Sequence, residues 1–301
     1  NSILVALVFF GIIMIGSDII TTPFSYVATT SSIIWEKCTP VFVDIHLDYL
    51  TIDERKIEDA ITDKTSCILA THVYGNPCNV EIIEKIAIKH GLKVIYDAAH
   101  CFGVTYKGKS LFNYGDVSTC SFHATKLFHT GEGGAIFCQD QETKQMMWYR
   151  HNFGHNGTEN YFGLGINAKM SELQAAMGLS VFPHINEIIE SRKVAIELYK
   201  SLLHNYNLKF LKLREGTEWN YHYFPIIFET EAALLKTMTS LKNAGISARR
   251  YFYPSLNKIE YSRQENLLIS EQIASRILCL PLFSGITTEE VKSVVNNIIN
   301  E

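Results

Sequence analysis

The chain has 301 residues, of which 47% are hydrophobic and 19% are charged, and its net charge at neutral pH is −4. This composition is ordinary for a globular α/β protein, and the length allows two domains of about 100 to 200 residues each. A slightly acidic chain without a basic cluster argues against nucleic acid and anionic membranes as partners. The seven cysteines are scattered without a Cys-x-x-Cys pair. This pattern favours reduced cytoplasmic thiols and gives no metal site.

An apolar run opens the chain at residues 3–15. It is too short for a membrane span, which needs about 20 apolar residues. It also lacks the initial methionine and basic flank of a signal peptide. We therefore predict a core helix here. Because the chain does not begin with methionine, we also expect that an N-terminal segment precedes it.

From residue 16 to residue 138, strand-like segments alternate with helix-like segments. The predicted strands are 19–22, 40–45, 67–72, 93–97, 117–122 and 134–138, and the predicted helices are 26–35, 55–61 and 80–90. Such alternation predicts a mostly parallel sheet with helices on both faces. The sequence therefore indicates the α/β class.

The second half of the chain begins with a predicted helix at 141–149 and a loop at 151–165 that is rich in Gly, Asn and His. The later predicted elements are helices at 170–181, 185–204, 231–243 and 288–300, and strands at 221–228 and 247–252. We interpret the last third as a smaller α+β domain. The predicted division is 1–182 for the large α/β domain and 183–301 for the small C-terminal domain.

Lys126 lies in the loop between the predicted strands 117–122 and 134–138. A lysine between buried strands can lose solvent, and a desolvated ammonium has a depressed pKa and becomes a usable amine nucleophile. By itself, however, a loop lysine is more commonly a solvated surface residue. A second feature is needed to give it a chemical role.

Asp97 supplies that feature, because it ends the predicted strand 93–97. In an open α/β sheet the carboxyl ends of the strands face the ligand crevice. The alternative is an aspartate that caps the next helix. A lysine nucleophile and a carboxylate at strand ends match the needs of pyridoxal phosphate, whose aldehyde forms a Schiff base with lysine and whose pyridine nitrogen is kept protonated by an acid.

Several runs of sequence strengthen this hypothesis. They include Val-Ile-Tyr-Asp-Ala-Ala-His at 94–100, Ser-Phe-His-Ala-Thr-Lys at 121–126 and Lys-Met-Ser-Glu-Leu-Gln-Ala-Ala at 169–176, with others at 18–29, 40–45 and 131–135. In these runs the chain resembles the DegT/DnrJ/EryC1/StrS family of sugar aminotransferases. The resemblance implies a fold-type I, pyridoxal-phosphate-dependent transferase fold, and a phosphate-binding Gly-Thr that would fall where this chain begins.

The resemblance also implies roles for individual residues. Lys126 would hold the cofactor and move the proton during transamination, and Asp97 would pair with the pyridine nitrogen. Ser121 would donate to the cofactor phosphate, and Tyr26 would stack on the ring. His100 stands where the family often has Gln, so it would either contact the ring or be a satisfied core histidine.

Asn167 and Lys169 match a family segment that reaches across a dimer interface toward the neighbour's cofactor phosphate. The resemblance therefore implies a homodimer with shared sites, while a solvated loop pair is the plain alternative. Weaker candidates for contacts with the sugar or the partner are Asn152, His155, His222 and Tyr253.

The implied activity is transfer of an amino group from L-glutamate to a nucleotide-linked keto-sugar. Lys126 argues against the family's dehydratase branch, which has His at this position. Within the family, the sequence runs are most similar to those of transaminases that form dTDP-4-amino-4,6-dideoxyglucose. This similarity implies dTDP-4-keto-6-deoxyglucose as the acceptor and a role in surface polysaccharide synthesis. A 3-keto sugar is the runner-up, and a catalytically silent binding or regulatory protein is an alternative of another class. An NAD-linked oxidoreductase is less favoured because no Gly-x-Gly-x-x-Gly follows an early strand.

Overall fold

The computed structural model describes residues 16–262 and 265–299. The helix predicted at 3–15 lies outside these residues. The strands are β1 (Asp18–Thr21), β2 (Thr39–Phe42), β3 (Thr65–Thr71), β4 (Lys93–Asp97), β5 (Thr105–Tyr106), β6 (Lys109–Ser110), β7 (Val117–Ser121), β8 (Gly134–Cys138), β9 (Lys209–Phe210), β10 (Thr217–Glu218), β11 (Pro225–Ile227) and β12 (Ile277–Cys279). The α-helices are α1 (Val27–Trp35), α2 (Val80–His90), α3 (Gln141–Arg150), α4 (Glu172–Val181), α5 (Ile185–Leu203), α6 (Glu231–Asn243), α7 (Leu268–Arg276) and α8 (Thr288–Ile299). Among the residues described, no helix combines the length and the apolar character needed to cross a membrane.

The central sheet has the strand order β2-β1-β3-β4-β7-β8. Every pairing is parallel except that of β7 with β8, which is antiparallel. Alternate residues of the strands enter two different apolar clusters, as Ile68 and Leu69 of β3 do. Helix α2 covers one face through residues such as Ile83, and α1 and α3 cover the other through residues such as Met147. This arrangement confirms the α/β prediction.

The parallel register places several strand ends at one edge of the sheet. Thr71 at the end of β3 pairs in register with Asp97 at the end of β4, and Asp97 pairs with Thr119 near the end of β7. The carboxyl edge of a parallel sheet is the usual location of a ligand crevice. The fold therefore gathers Asp97, Ser121 and the loop after β7 at one place.

The last third of the chain packs around a second sheet, β12-β11-β9, with its own apolar cluster that includes Ile196 of α5 and Val294 of α8. A further cluster spans both halves of the chain and brings Phe24 and Tyr74 against Phe252. The division into domains 1–182 and 183–301 stays a prediction, and this shared cluster joins its two sides.

Two predicted elements differ from the structure. The predicted strand at 247–252 is wrong, because only Arg249 pairs, through an isolated bridge to Cys279, before the chain turns. Tyr251 N donates to Arg249 O at 3.0 Å and so closes that turn. The predicted helix at 55–61 is instead a pair of short 3-10 turns, Glu54–Lys56 and Glu58–Ala60. The side chain of Asp53 caps the first turn.

Helix α7 has no sequence-local capping side chain, since Leu267 occupies its N-cap position. Its cap comes from Asp44, just beyond β2. Asp44 Oδ2 accepts from Ile269 N at 3.0 Å, and Oδ1 accepts from Ser270 N at 2.9 Å. An acid at a helix N-terminus satisfies backbone donors and complements the helix dipole. Asp44 thus fastens the C-terminal part of the chain to the central sheet.

Candidate active site

A cavity of about 1200 Å³ opens at the carboxyl edge of the central sheet. It is lined by the seven main site residues that the sequence predicts: Tyr26, Asp97, His100, Ser121, Lys126, Asn167 and Lys169. The weaker candidates Asn152, His155, His222 and Tyr253 are not among its lining residues. The structure therefore brings the predicted acid and the predicted amine to a single cavity.

Asp97 is buried at the tip of β4. Its Oδ1 accepts from Ala99 N at 3.1 Å, and its Oδ2 accepts from Thr29 Oγ1 at 3.2 Å. A carboxylate has about four lone-pair positions, so capacity remains for another donor from the cavity. Burial raises the pKa of Asp97, while the Ala99 N–H and the charge of Lys126 oppose that rise. The chain turns after Asp97 without starting a helix, so the alternative of a helix cap is wrong.

A set of buried hydroxyl groups supports the carboxylate of Asp97. Ser25 Oγ lies 2.8 Å from Thr29 Oγ1 and 3.1 Å from Thr71 Oγ1, and Thr29 donates to Asp97. Ser25 and Thr71 also line the cavity. A hydrogen bond to the charged form of a carboxylate favours ionisation and fixes its orientation. The sequence does not reveal these hydroxyl groups, because they come from the loop before α1, from α1 and from β3 and meet Asp97 only in the folded chain.

Lys126 is half-buried in the loop after β7. Burial lowers the pKa of its amine, and the charge of Asp97 opposes that change. Its Nζ makes no hydrogen bond or ion pair with any residue in the described ranges 16–262 and 265–299. An amine in this condition has an enlarged neutral fraction and is available to react with a carbonyl group.

The loop that carries Lys126 is closed at its base. Phe122 N donates to Gly133 O at 2.9 Å, and Thr130 N donates to Phe122 O at 2.9 Å. Gly133 has a φ of +154°, and a Cβ there would lie 2.5 Å from Thr130 Oγ1. A glycine is therefore required for this close approach.

Ser121, at the end of β7, and Tyr26, just before α1, both line the cavity. Ser121 Oγ accepts from His123 N at 3.4 Å, and its own hydrogen has no acceptor within the described part of the chain. Tyr26 precedes α1 and is 54% exposed. Its ring centroid lies 6.5 Å from that of Phe252. Ser121 can thus donate to a ligand, and Tyr26 presents an open aromatic face to the cavity.

His100 combines a core position with a place on the cavity wall. Its Nδ1 accepts from Tyr74 N at 3.0 Å. Its ring stacks nearly parallel on Phe252, with centroids 5.8 Å apart and planes at 3°. Burial lowers the pKa of His100 well below its ordinary value, so the ring is neutral. The structure therefore shows the satisfied core position that is one of the two alternatives for His100, and its contact with a cofactor ring stays a prediction.

Asn167 and Lys169 are exposed at the mouth of the cavity. Lys169 Nζ donates to Asn152 Oδ1 at 2.8 Å and lies 4.7 Å from the centroid of the Phe153 ring. Asn167 and Lys169 therefore line the same cavity as Lys126 of their own chain. Of the weaker candidates, His222 is buried beside His100, with ring centroids 5.6 Å apart.

The second wall of the cavity comes from the C-terminal part of the chain. Tyr223, Arg249, Tyr251 and Phe252 line it. The sequence does not reveal this wall, because its pattern predicts a strand at 247–252. A signal was present in the run Arg-Arg-Tyr-Phe-Tyr at 249–253, which is rich in aromatic and cationic groups but has no strict alternation.

The sheet is mostly parallel, and it brings the loop after β7 and the tip of β4 to one cavity. This is the architecture of a transaminase-type fold. The comparison with protein families gives the particular group: residues 1–299 match the model of the DegT/DnrJ/EryC1/StrS aminotransferase family. The chain belongs to this family.

Individual relatives agree with this assignment. The chain is 40% identical over 294 residues to a dTDP-4-amino-4,6-dideoxy-D-glucose transaminase of Shigella dysenteriae, with 94% of this chain and 79% of the relative covered. It is also 40% identical over 299 residues to the Escherichia coli enzyme of the same name, with 95% and 80% covered. The crystal structure of DesI in the presence of its TDP-sugar product has a TM-score of 0.90 and 30% identity, and covers 98% of this chain and 76% of that one.

Proposed function

We propose that this protein is a pyridoxal-phosphate-dependent aminotransferase that converts a nucleotide-linked keto-sugar to an amino sugar. The observation that carries the proposal is the shared cavity of Lys126 and Asp97, in which the charge of each group acts on the pKa of the other. Membership of a sugar aminotransferase family supports the same reaction.

The chemistry of the cavity fits the cofactor. Pyridoxal phosphate, when bound, supplies an aldehyde carbon for amines and a protonated pyridine ring that withdraws electrons. Asp97 would accept from the ring nitrogen with its remaining lone pairs, and Lys126 would be the covalent attachment point. Ser121 would donate to the phosphate, Tyr26 would cover the ring, and His100 would contact its edge as a neutral group.

Lys126 would also carry the proton between the substrate carbon and the cofactor. A general base works best when its pKa lies near the working pH, and burial moves the pKa of Lys126 in that direction. The charge of Asp97 limits the lowering of the pKa of Lys126. In return, the charge of Lys126 limits the rise in the pKa of Asp97, so the pairing affects both the nucleophilicity of the amine and the ionisation of the acid.

For the acceptor we propose dTDP-4-keto-6-deoxy-D-glucose, with L-glutamate as the donor. The 40% identity to transaminases named for the 4-amino sugar supports amination at C4 over C3. The cavity of about 1200 Å³ exceeds the usual ligand pocket of about 300–1,000 Å³. It can hold a cofactor together with a sugar. The product would serve synthesis of a surface polysaccharide such as O-antigen.

We further propose a homodimer in the cytoplasm. Exposed apolar side chains cluster in the segment that carries Asn167 and Lys169, and they include Leu164, Leu173, Leu179 and Phe182. Large exposed apolar patches mark interaction sites. No disulfide bond joins the cysteines of the described residues, which suits a reducing compartment.

The test is a panel of nucleotide keto-sugars assayed with L-glutamate and pyridoxal phosphate. We expect the dTDP-linked 4-keto-6-deoxy sugar to give a 4-amino product, identified by mass and NMR, and the protein to show the absorbance of a lysine-bound cofactor. Amination at C3 would show that the acceptor is a 3-keto sugar, the alternative to the proposed one. Absence of both cofactor absorbance and turnover would contradict the proposal and favour a silent binding protein.

A further inference from the structure

A short segment of the second half of the chain, residues 219–222, binds three loops at the edge of the cavity. Each bond runs from a side-chain N–H of this segment to a backbone carbonyl of the first half. The bonds are Trp219 Nε1 to Tyr74 O at 2.7 Å, Asn220 Nδ2 to His100 O and to Phe102 O at 2.8 Å each, and His222 Nε2 to Thr125 O at 3.3 Å. The segment therefore fixes the backbone of the loops that shape the cavity.

The bond to Thr125 is the important one, because Thr125 immediately precedes Lys126. The other hydrogen bonds of residues 123–126 are local. Lys126 N donates to His123 O at 2.8 Å, and His123 Nδ1 lies 2.9 Å from Thr125 Oγ1. Within the described residues, His222 alone ties this turn by a hydrogen bond to a distant part of the chain.

His222 is suited to hold a carbonyl group permanently. It is buried, and burial lowers its pKa well below the ordinary value, as do the charges of Lys126 and Arg192. A neutral imidazole has one N–H, and a carbonyl can only accept, so His222 holds the Thr125 carbonyl in the tautomer that carries the proton on Nε2. His222 is itself held in place, since Arg192 donates to its backbone carbonyl at 3.1 Å.

We propose that His222 is a positioning residue for Lys126. By holding the carbonyl of Thr125 it fixes the turn at 123–126, and the turn directs the Lys126 amine into the cavity. The expected effect of His222 on turnover rests on the proposed function. Its expected effect on the pKa of the Lys126 amine rests on the contacts alone. Misplacement of a reacting group by 1 Å can cost about 100-fold in rate.

The experiment compares two substitutions of His222 with a matched control. His222→Phe keeps a ring but removes the donor, and His222→Gln restores an N–H donor. His204→Phe is the control, because His204 Nδ1 also lies 2.7 Å from a backbone carbonyl, that of Ser201, but at the exposed end of α5. Circular dichroism and thermal unfolding establish that each variant folds, and His222→Leu replaces His222→Phe if that variant does not.

The first readout is steady-state kinetics with the cofactor bound. We expect His222→Phe to lower kcat by about 10- to 100-fold. The KM of the donor should change by less than about threefold, since substrate contacts remain. His222→Gln should recover most of the loss, and His204→Phe should match the wild type. Wild-type kcat in His222→Phe would overturn the proposal.

The second readout needs no cofactor. Partial acetylation of the apoprotein over a range of pH, followed by mass spectrometry, reports the pKa of the Lys126 amine. We expect the pKa to rise toward about 10.4 in His222→Phe, because a released turn lets water reach the ammonium. If the wild type lacks turnover, the proposed function fails while this measurement still decides the role of His222. An unchanged labelling profile, or loss of folding in both apolar variants, would show a packing residue instead.

Discussion

The two walls of the cavity are built in different ways. The first wall consists of strand tips and the loops that follow them, with Asp97 and Lys126 in the same half of the chain. The second wall, with Phe252 and its neighbours, belongs to a segment that returns from the C-terminal part. The first wall carries the groups that can react, and the second carries rings and donors that hold the first wall in place.

The reactive groups and the groups that position them therefore lie on different walls. Substitutions in the first wall should remove activity while the fold persists, since its reactive groups make few structural contacts. Substitutions that detach the second wall should lower stability and turnover together, because residues such as Asn220 and Asp44 join the halves through buried bonds. The predictions below test this separation, from the largest effect to the smallest.

Lys126→Ala should abolish turnover, because no other amine can take the place of a covalent attachment point. The variant should fold normally, since Lys126 Nζ has no partner within the described residues whose loss would destabilise the fold. The measurement is amino-sugar formation together with thermal unfolding. Lys200→Ala, on the exposed side of α5, is the control and should retain full activity. Appreciable turnover by Lys126→Ala would remove the residue from its assigned role.

Asp97→Asn should lower kcat by about 100-fold or more, because a neutral amide cannot hold a positive ring nitrogen. Burial already raises the pKa of the native carboxyl, so an uncharged isostere fits the site without a desolvation penalty. We therefore expect folding to be preserved. Stopped-flow measurement of the half-reaction with L-glutamate checks the rate. A variant as fast as the wild type would show that Asp97 only shapes the turn after β4.

Asp44→Ala should reduce the free energy of unfolding by about 2 kcal/mol, because helix α7 loses its cap and backbone donors lose their acceptor. Asp44 is buried and accepts from Ile269 N and Ser270 N. Urea unfolding gives the value. Asp48→Ala is the control: Asp48 is exposed and pairs with Lys212, and such surface pairs contribute about 0–1 kcal/mol. Equal effects of the two substitutions would show that Asp44 does not fasten helix α7 to the central sheet.

The contrast between the walls also explains what the sequence could predict. Strands β4 and β8 have the predicted bounds, 93–97 and 134–138, because their apolar runs and turn residues are local signals. Helix α7 was missed because its cap, Asp44, lies 226 residues before Ser270. The sequence predicts a strand at Phe252 because strand propensity depends on neighbouring residues. The packing of Phe252 against Phe24 and His100 depends instead on residues that are distant in the chain. Long-range partners were the missing information in both cases.

Thr29→Val should reduce turnover by about 10-fold, the value of one hydrogen bond to a charged group. Thr29 Oγ1 donates to Asp97 Oδ2, and valine keeps its shape without the donor. Thr30→Val is a matched control in the same helix, because Thr30 Oγ1 is buried and has no hydrogen-bond partner among the residues that the structure describes. Steady-state kinetics of both variants distinguish the two positions. Identical rates would show that the hydroxyl groups around Ser25 fill space without orienting Asp97.

The pH dependence of the free energy of unfolding tests the burial of His72, which contacts the strand tip of the first wall. Burial lowers the pKa of His72 to about 3, whereas the unfolded ring has a pKa of about 6.5. Only the unfolded ring binds a proton between these values, so the stability present above pH 6.5 is lost as the pH falls toward 3. The loss from this histidine should be about 1 kcal/mol between pH 7.5 and 5.5.

His72→Gln should remove this part of the pH dependence of the free energy of unfolding. Urea unfolding at a series of pH values gives the slope, in which the raised pKa of Asp97 acts with the opposite sign. His72 N donates to Asp97 O at 3.0 Å, so a ring that became charged would disturb the strand tip that holds the acid. An unchanged slope in His72→Gln would show that water reaches this ring, and that the first wall is less rigid than its packing indicates.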